Sequence, residues 1–331
     1  MSMENLTTNH DAFHQMLASH DARFDGQGLV DGDSITLLLA YRPPFDWELL
    51  LDFLGSRTID RIDRVEDGAY LRAVRIQQGG TFHTGWIQVR HTPARNALSA
   101  IVATSLLPVL SPVLARIRVL FDLDCDPTLI HRRLASMDKL KPGMNREGLR
   151  MPGAFDGFEM AVRAVLGQQV TVKAARTLAN RLVEILGEPV PTPIAGLTHV
   201  FPSPEALAAL PQPVEDVLGP LGITGSRARA IRALAEALAS GEVMLSPTAD
   251  VPLMMERLLA LPGFGPWTVH YLAMRALAWP DAFPHTDYGI KLALKRAWGL
   301  NDYPSPKRIL EAAKPWKPWR SYAAMNLWRS L

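Results

Sequence analysis

The amino-acid sequence predicts an α+β fold, a small mixed α/β domain followed by an all-helical part, and three observations carry the prediction. From Ser34 to about Pro108 the apolar runs are short and strand-like, punctuated by Pro43-Pro44 and Gly79-Gly80. From Pro112 onward the apolar period lengthens to about 3.6 residues, that of a helix. The chain has 331 residues, 48% apolar and 21% charged, enough at about 150 residues per domain for two or three globular domains.

Each element follows in order. Residues 1–32, with turns at Asp25-Gly26-Gln27-Gly28 and Asp31-Gly32-Asp33, read as a partly disordered extension. Ile35–Ala40, Tyr70–Ile76, Thr84–Val89 and Ala97–Thr104 are the expected strands, with a helical period at Trp47–Leu54 between the first two. The longest uncharged stretch lies between Arg95 and Arg116. Asn96, Pro108 and Pro112 interrupt it, so it reads as a buried strand entering a helix and not as a membrane span. Phe155, Phe158, Val162 and Val165 form one helix face, closed by Gly167, and Val172, Ala175, Leu178, Leu182 and Ile185 form the next. Ser226 is the expected cap of a helix Arg227–Ala239. Helices follow at Pro252–Ala260, at Pro266–Ala278 with proline in its first turn, at Tyr288–Trp298 and at Ser321–Ser330.

Composition excludes several chemistries. A single cysteine, Cys125, rules out a disulfide framework, a cysteine-based zinc site and a four-cysteine iron–sulfur cluster. Met1–Asp21 contains Glu4, Asp11 and several histidines without a long apolar run, so it is no secretory signal, and a reducing cytoplasm is the expected compartment. A net charge of only +2 leaves nucleic-acid binding to be decided by where the charges lie.

The most informative segment is Leu261-Pro262-Gly263-Phe264-Gly265-Pro266-Trp267-Thr268, a very short turn between two helices. Gly263 and Gly265 lack a Cβ, which permits close approach of another backbone and positive φ. The helix beginning at Pro266 points its free N–H groups and its dipole into the turn, which suits a phosphate. A generic Gly-x-Gly turn is more often a plain connection, so the full string carries the reading. Asp287, in Phe283-Pro284-His285-Thr286-Asp287-Tyr288, opens another helix. Spacing alone makes it an N-cap or a catalytic carboxylate, and the roles are compatible because a helix N-terminus favours the ionised form.

Hairpin and downstream aspartate together resemble the helix–hairpin–helix DNA glycosylase superfamily. Val165-Leu166-Gly167-Gln168-Gln169-Val170-Thr171, Trp316-Lys317-Pro318-Trp319-Arg320-Ser321-Tyr322 with Leu327-Trp328, and Tyr41-Arg42-Pro43-Pro44-Phe45-Asp46-Trp47 resemble segments of the bacterial 3-methyladenine DNA glycosylase II family. The likeness spans about Asp33 to Leu331. The chain departs from the family's usual Gly-Pro-Asp, reading His285-Thr286-Asp287. The resemblance implies a TATA-binding-protein-like α/β domain over 33–112. It implies a two-part helical core, of 113–137 with 282–331 and of 138–281 with the hairpin. Its implied function is excision of alkylated bases of the 3-methyladenine and 7-methylguanine type from double-stranded DNA by base flipping. It makes Asp287 catalytic, Trp267, Tyr271 and Trp328 the base pocket, Gln169 the residue that fills the vacated stack, and Gly263, Gly265 and Thr268 the phosphate contact. Met274 shares a helix face with Trp267 and Tyr271, at i+7 and i+4 from the first. Electron-rich rings attract a cationic purine by roughly 0.5–2 kcal/mol.

Relatives that also nick the strand carry a lysine where this chain has Trp267, so no lyase step is expected. No metal site is assigned and no cofactor is required, with room for a monovalent cation at the hairpin. A monomer is expected, with no membrane partner. Lys307, Arg308, Lys314, Lys317, Arg320 and Arg329, interleaved with Trp316, Trp319 and Trp328, suggest a basic aromatic surface for DNA, whereas Arg227, Arg229 and Arg232 read as a solvated face. His20-Asp21-Ala22-Arg23-Phe24-Asp25-Gly26 resembles the opening of the zinc domain of Ada-type alkyl-transfer proteins, but the cysteines of that domain are absent. A non-catalytic DNA-binding module and a glycosylase for deaminated or oxidised bases are the competing readings.

Overall fold

The computed structural model describes residues 29–331; the Ada-like segment and most of the N-terminal extension lie outside them. Six strands form one antiparallel sheet in the order β1-β2-β6-β5-β4-β3: β1 Leu29–Asp31, β2 Ser34–Ala40, β3 Asp63–Glu66, β4 Ala69–Gln78, β5 Thr81–Thr92 and β6 Ala97–Ala103. The four expected strands are present. β3 was not anticipated, because Asp63-Arg64-Val65-Glu66 is too polar to read as a strand. The sheet also starts within the expected extension, at Leu29.

Helix α1 (Trp47–Gly55), capped by Asp46, and helix α2 (Leu110–Leu120) cover one face through Leu50, Leu54, Val113 and Ile117. The α/β unit therefore extends past the expected boundary at residue 112. β4 is buried on both faces, which explains its nearly continuous apolar run. Tyr70, Val74 and Ile76 join the helix-covered core, while Ala69, Leu71 and Ala73 pack against Val190, Leu197 and Val200 of the helical part. A short ribbon there, β7 Glu188–Pro189 with β8 His199–Val200, lies over the sheet.

The helical part follows as α3 (Pro127–Arg133), α4 (Gly157–Leu166), α5 (Val172–Leu186), α6 (Pro204–Ala208), α7 (Val214–Leu218), α8 (Gly225–Ala239), α9 (Val251–Ala260), α10 (Pro266–Arg275), α11 (Tyr288–Ala297), α12 (Pro306–Ala312) and α13 (Arg320–Arg329). Three expectations are corrected. Val172 and Ile185 are 45% and 63% exposed, because the buried stripe of α5 is Leu178, Ala179, Leu182 and Val183. Thr224, not Ser226, takes the cap position of α8, and Ser226 lies in its first turn. α10 stops at Arg275, with Ala278 at φ 52° beyond it. No helix among the described residues is long and apolar enough to cross a membrane.

Candidate active site

The hairpin joins α9 to α10. Phe264 is buried and anchors the turn, while Pro262, Gly263 and Pro266 are exposed along its outer edge. The two glycines differ. Gly263 sits at φ 79° with a would-be Cβ only 3.0 Å from the Ala230 Cβ, whereas Gly265 has an ordinary φ of −95° and open space around it. Positive φ is thus a requirement at Gly263 alone. Thr268 is buried, and its hydroxyl accepts from Gln168 Nε2 at 3.0 Å, so its side chain braces the next loop and does not reach the outer edge.

Asp287 caps α11, its Oδ1 accepting from Ile290 N at 2.9 Å. The same oxygen accepts from Trp328 Nε1 at 2.8 Å, and Oδ2 accepts from Trp267 Nε1 at 2.8 Å. Three donors from α10, α11 and α13 therefore orient one carboxylate. A carboxylate offers about four acceptor directions, so Oδ2 retains capacity for a water or for positive charge. The Trp267 and Tyr271 rings stack, 5.4 Å apart at 12°, and Trp328 stands 6.2 Å from Tyr271. These groups line a cleft of about 1150 Å³. The structure thus brings Asp287, Trp267, Tyr271 and Trp328 together. It does not bring Met274, which is fully buried in the core.

The cleft is also lined by groups that sequence reasoning missed: Phe53, Arg57, Arg163 and Arg275. Arg57 leaves the end of α1, so the sheet domain supplies part of the cleft. Its guanidinium lies 3.8 Å over the Phe53 ring and donates to Phe53 O at 3.0 Å and Ser56 Oγ at 2.8 Å. Burial, aided by Arg275 and Arg163, lowers its pKa to about 10, leaving it charged at neutral pH. Arg275 donates to Tyr271 Oη at 2.8 Å and to the carbonyls of Pro152 and Gly153. Arg163 donates to Glu159 Oε1 at 2.9 Å and to the Arg57 carbonyl. Behind it, buried Arg72 on β4 pairs with Glu159 and lies 3.8 Å from Asp63. Burial alone would raise the Tyr271 phenol, but Arg275, Arg57 and Arg163 outweigh it and hold it below its usual value. Arg163 and Arg275 were visible as charges within the apolar runs Phe158–Leu166 and Val269–Leu277; Arg57, in a loop, carries no such signal.

Gln169 is exposed at the rim with φ 56°, an uncommon conformation for glutamine of the kind that clusters at functional sites. Its neighbour holds the loop. Gln168 Nε2 donates to Gly263 O at 2.9 Å as well as to Thr268, tying this loop to the hairpin. Arg227 donates to Gln168 O, so it is no solvated bystander. Arg229 does pair on the surface, with Glu215, whereas Arg232 is largely buried, donating to Leu210 O at 2.6 Å as well as pairing with Glu236.

The expected basic C-terminal surface is partly structural: Lys307, Arg308, Lys314 and Lys317 are exposed, whereas Arg320 and Arg329 are tied into the fold. Arg320 makes a two-pronged bridge to Asp281 at 2.7 Å, Arg329 donates to Gly143 O and Met144 O, Lys314 pairs with Glu311, and Trp316 is buried.

Residues 36–156 match the AlkA N-terminal domain, and residues 162–318 match the HhH-GPD superfamily base excision DNA repair protein family. The chain is 38% identical over 312 residues to the probable bifunctional transcriptional activator/DNA repair enzyme AlkA of Mycobacterium tuberculosis, covering 94% of this chain but only 60% of that protein. It is 35% identical over 294 residues to DNA-3-methyladenine glycosylase 2 of Escherichia coli, covering 88% of this chain and 95% of that one. The structure of a 3-methyladenine DNA glycosylase from Archaeoglobus fulgidus shares the fold, with a TM-score of 0.72 at 20% identity over 88% of this chain and 97% of that one. The hairpin, the aspartate and a likeness running through both domains lead to one assignment: the chain belongs to the AlkA family within the HhH-GPD superfamily.

Proposed function

We propose that the protein is a monofunctional DNA glycosylase that hydrolyses the N-glycosidic bond of alkylated bases, of the 3-methyladenine and 7-methylguanine type, flipped from double-stranded DNA. The observation that carries this reading is Asp287, a carboxylate aimed by two indole N–H groups and a helix N-terminus at an aromatic-walled cleft. A cationic alkylpurine is already a good leaving group, so the chemistry needs negative charge where the sugar becomes oxocarbenium-like and a water to capture it. Asp287 provides the charge and, through Oδ2, orients the water. The flipped base stacks among Trp267, Tyr271 and Trp328, and Gln169 enters the vacated stack. The hairpin amides hold a phosphate, a contact that carries no lesion information.

An indole at position 267, engaged with Asp287, supplies no Schiff-base amine, which supports hydrolysis without strand cleavage. The acting form is proposed to be a monomer bound to double-stranded DNA. A monovalent cation at the hairpin would meet oxygen donors only, the main-chain carbonyls of the turn. Of these, Leu261 O and Gly263 O already accept from Phe264 N and Gln168 Nε2. Such an ion would stiffen the turn and take no part in bond cleavage.

The test is release of free base from methylated duplex by the wild type and by Asp287→Asn. Asparagine still caps α11, so the fold and DNA affinity persist. Excision falls by about 3–4 kcal/mol, roughly 150- to 900-fold. A rate within threefold of wild type would reduce Asp287 to a cap.

A further inference from the structure

The loop between α4 and α5 carries three polar side chains, and two of them are spent on the fold. Gln168 Nε2 donates to Gly263 O at 2.9 Å and to Thr268 Oγ1 at 3.0 Å, and Thr171 Oγ1 accepts from Ala174 N at 3.2 Å to cap α5. Arg227 holds the Gln168 carbonyl from α8. The third, Gln169, is exposed at the rim of the cleft, and its amide has no hydrogen-bond partner among the described residues. Its φ of 56° is one that glycine or asparagine adopts at lower cost. A loop tied to the hairpin thus holds a strained backbone in place and presents an amide that the fold itself does not use.

We propose that Gln169 pairs with the Watson–Crick edge of the base left opposite the flipped lesion, so that the site selects lesions whose partner base is present. This rests on the glycosylase reading, in which Gln169 enters the vacated stack, and it names the duplex context that the same site requires. A residue that only fills space is best apolar, because an amide buried between bases without a partner costs free energy. Gln169 avoids that cost by pairing, and the polar surface it meets in the vacated stack is the edge of the estranged base. Thymine presents N3–H beside O4, and cytosine presents N4–H beside N3, so the amide donates one bond to either base and accepts one from it. Each of the four bases has such an adjacent donor and acceptor. The contact therefore reports that a base is present and not which base it is. Gln168 ties the loop to the turn that grips the lesion strand, which fixes the reach of Gln169 toward the opposite strand.

The experiment measures affinity for duplexes in which a tetrahydrofuran abasic site stands opposite thymine or opposite difluorotoluene, which has the shape of thymine without its hydrogen-bonding groups. With no lesion base present, no base pair is broken on binding, and the two duplexes differ only at the edge that Gln169 meets. The wild type is expected to bind the thymine duplex at least about fivefold more tightly, as two hydrogen bonds of ordinary net worth imply. Gln169→Met keeps the length and bulk of the side chain and removes the amide, so it should bind the two duplexes equally. A merely structural role would weaken both duplexes together and leave their ratio unchanged. Equal affinities in the wild type, or a thymine preference that survives in Gln169→Met, overturn the proposal. If Gln169→Met does not fold, Gln169→Leu decides in its place by the same ratio. Release of free base from methylated duplex is measured alongside. A wild type that releases base without the thymine preference fails the proposal alone, whereas one that releases no base fails the glycosylase reading and the proposal with it.

Discussion

The two sides of the cleft are built on opposite plans. The acidic wall is assembled by the helical part alone, from α10, α11 and α13, and its carboxylate is aimed by neutral N–H donors. The arginine-bearing lining, here called the floor, is assembled across the boundary between the sheet domain and the helices, and its charges are formal ones: Arg57, Arg163 and Arg275 line the cleft, with Arg72, Glu159 and Asp63 behind. The wall places negative charge where positive charge develops. The other lining places positive charge beside the Tyr271 ring.

The most damaging way to break this contrast is behind the floor. Glu159 is buried between Arg72 and Arg163, which hold its carboxyl below the usual range although burial alone would raise it. Glu159→Gln leaves two buried guanidiniums without their counter-charge and should cost about 3–5 kcal/mol of stability, read as a drop in denaturant midpoint. A loss under about 1 kcal/mol would show that Asp63 takes over. The depressed pKa sets the sign of the pH effect: this contribution is present above the unfolded value of Glu159 and is lost as pH falls through its folded-state value. In the wall, Trp267→Phe keeps the ring on Tyr271 and removes one of the three donors to Asp287. Excision should fall by about 1.5–3 kcal/mol with little change in DNA affinity. An unchanged single-turnover rate would mean that Trp328 and α11 orient the carboxylate unaided.

The hairpin offers a smaller test. Gly263→Ala forces a side chain to φ 79° against Ala230, at a cost of about 1–2 kcal/mol, so both thermal midpoint and DNA binding should drop. Gly265→Ala has room within the protein, so its thermal midpoint should hold while binding to damaged and intact duplex weakens alike. A drop in midpoint for Gly265→Ala would contradict this. The difference between these glycines also shows what a sequence conceals. The string Leu261–Thr268 announced a hairpin because the turn is local, and Asp287 announced itself by its place before a helix. The four principal strands were readable because their apolar runs are short and bounded by prolines and glycines. The floor was not readable, since Arg57, Arg163 and Arg275 come from three distant segments and meet only after the domains pack. Arg227, Arg320 and Arg329 were not readable for the same reason, because whether an arginine faces solvent or grips a distant carbonyl or carboxylate is settled by neighbours far along the chain.

The finest comparison separates stacking from charge. Hypoxanthine and 7-methylhypoxanthine share the same 6-oxo ring and differ in a methyl group and a positive charge. Trp328→Ala removes stacking from both, roughly 1–3 kcal/mol per base, and the N–H donor to Asp287 in both. It removes a cation–π attraction from the methylated base alone, about 0.5–2 kcal/mol. Normalised to uncatalysed base loss, the methylated substrate should therefore lose roughly two- to thirtyfold more than the neutral one. Restoring a ring as Trp328→Phe should recover part of the differential without recovering the hydrogen bond to Asp287. Equal losses on the two bases would show that the ring supplies shape and stacking only, and that the charge of the lesion is read by neither side of the cleft.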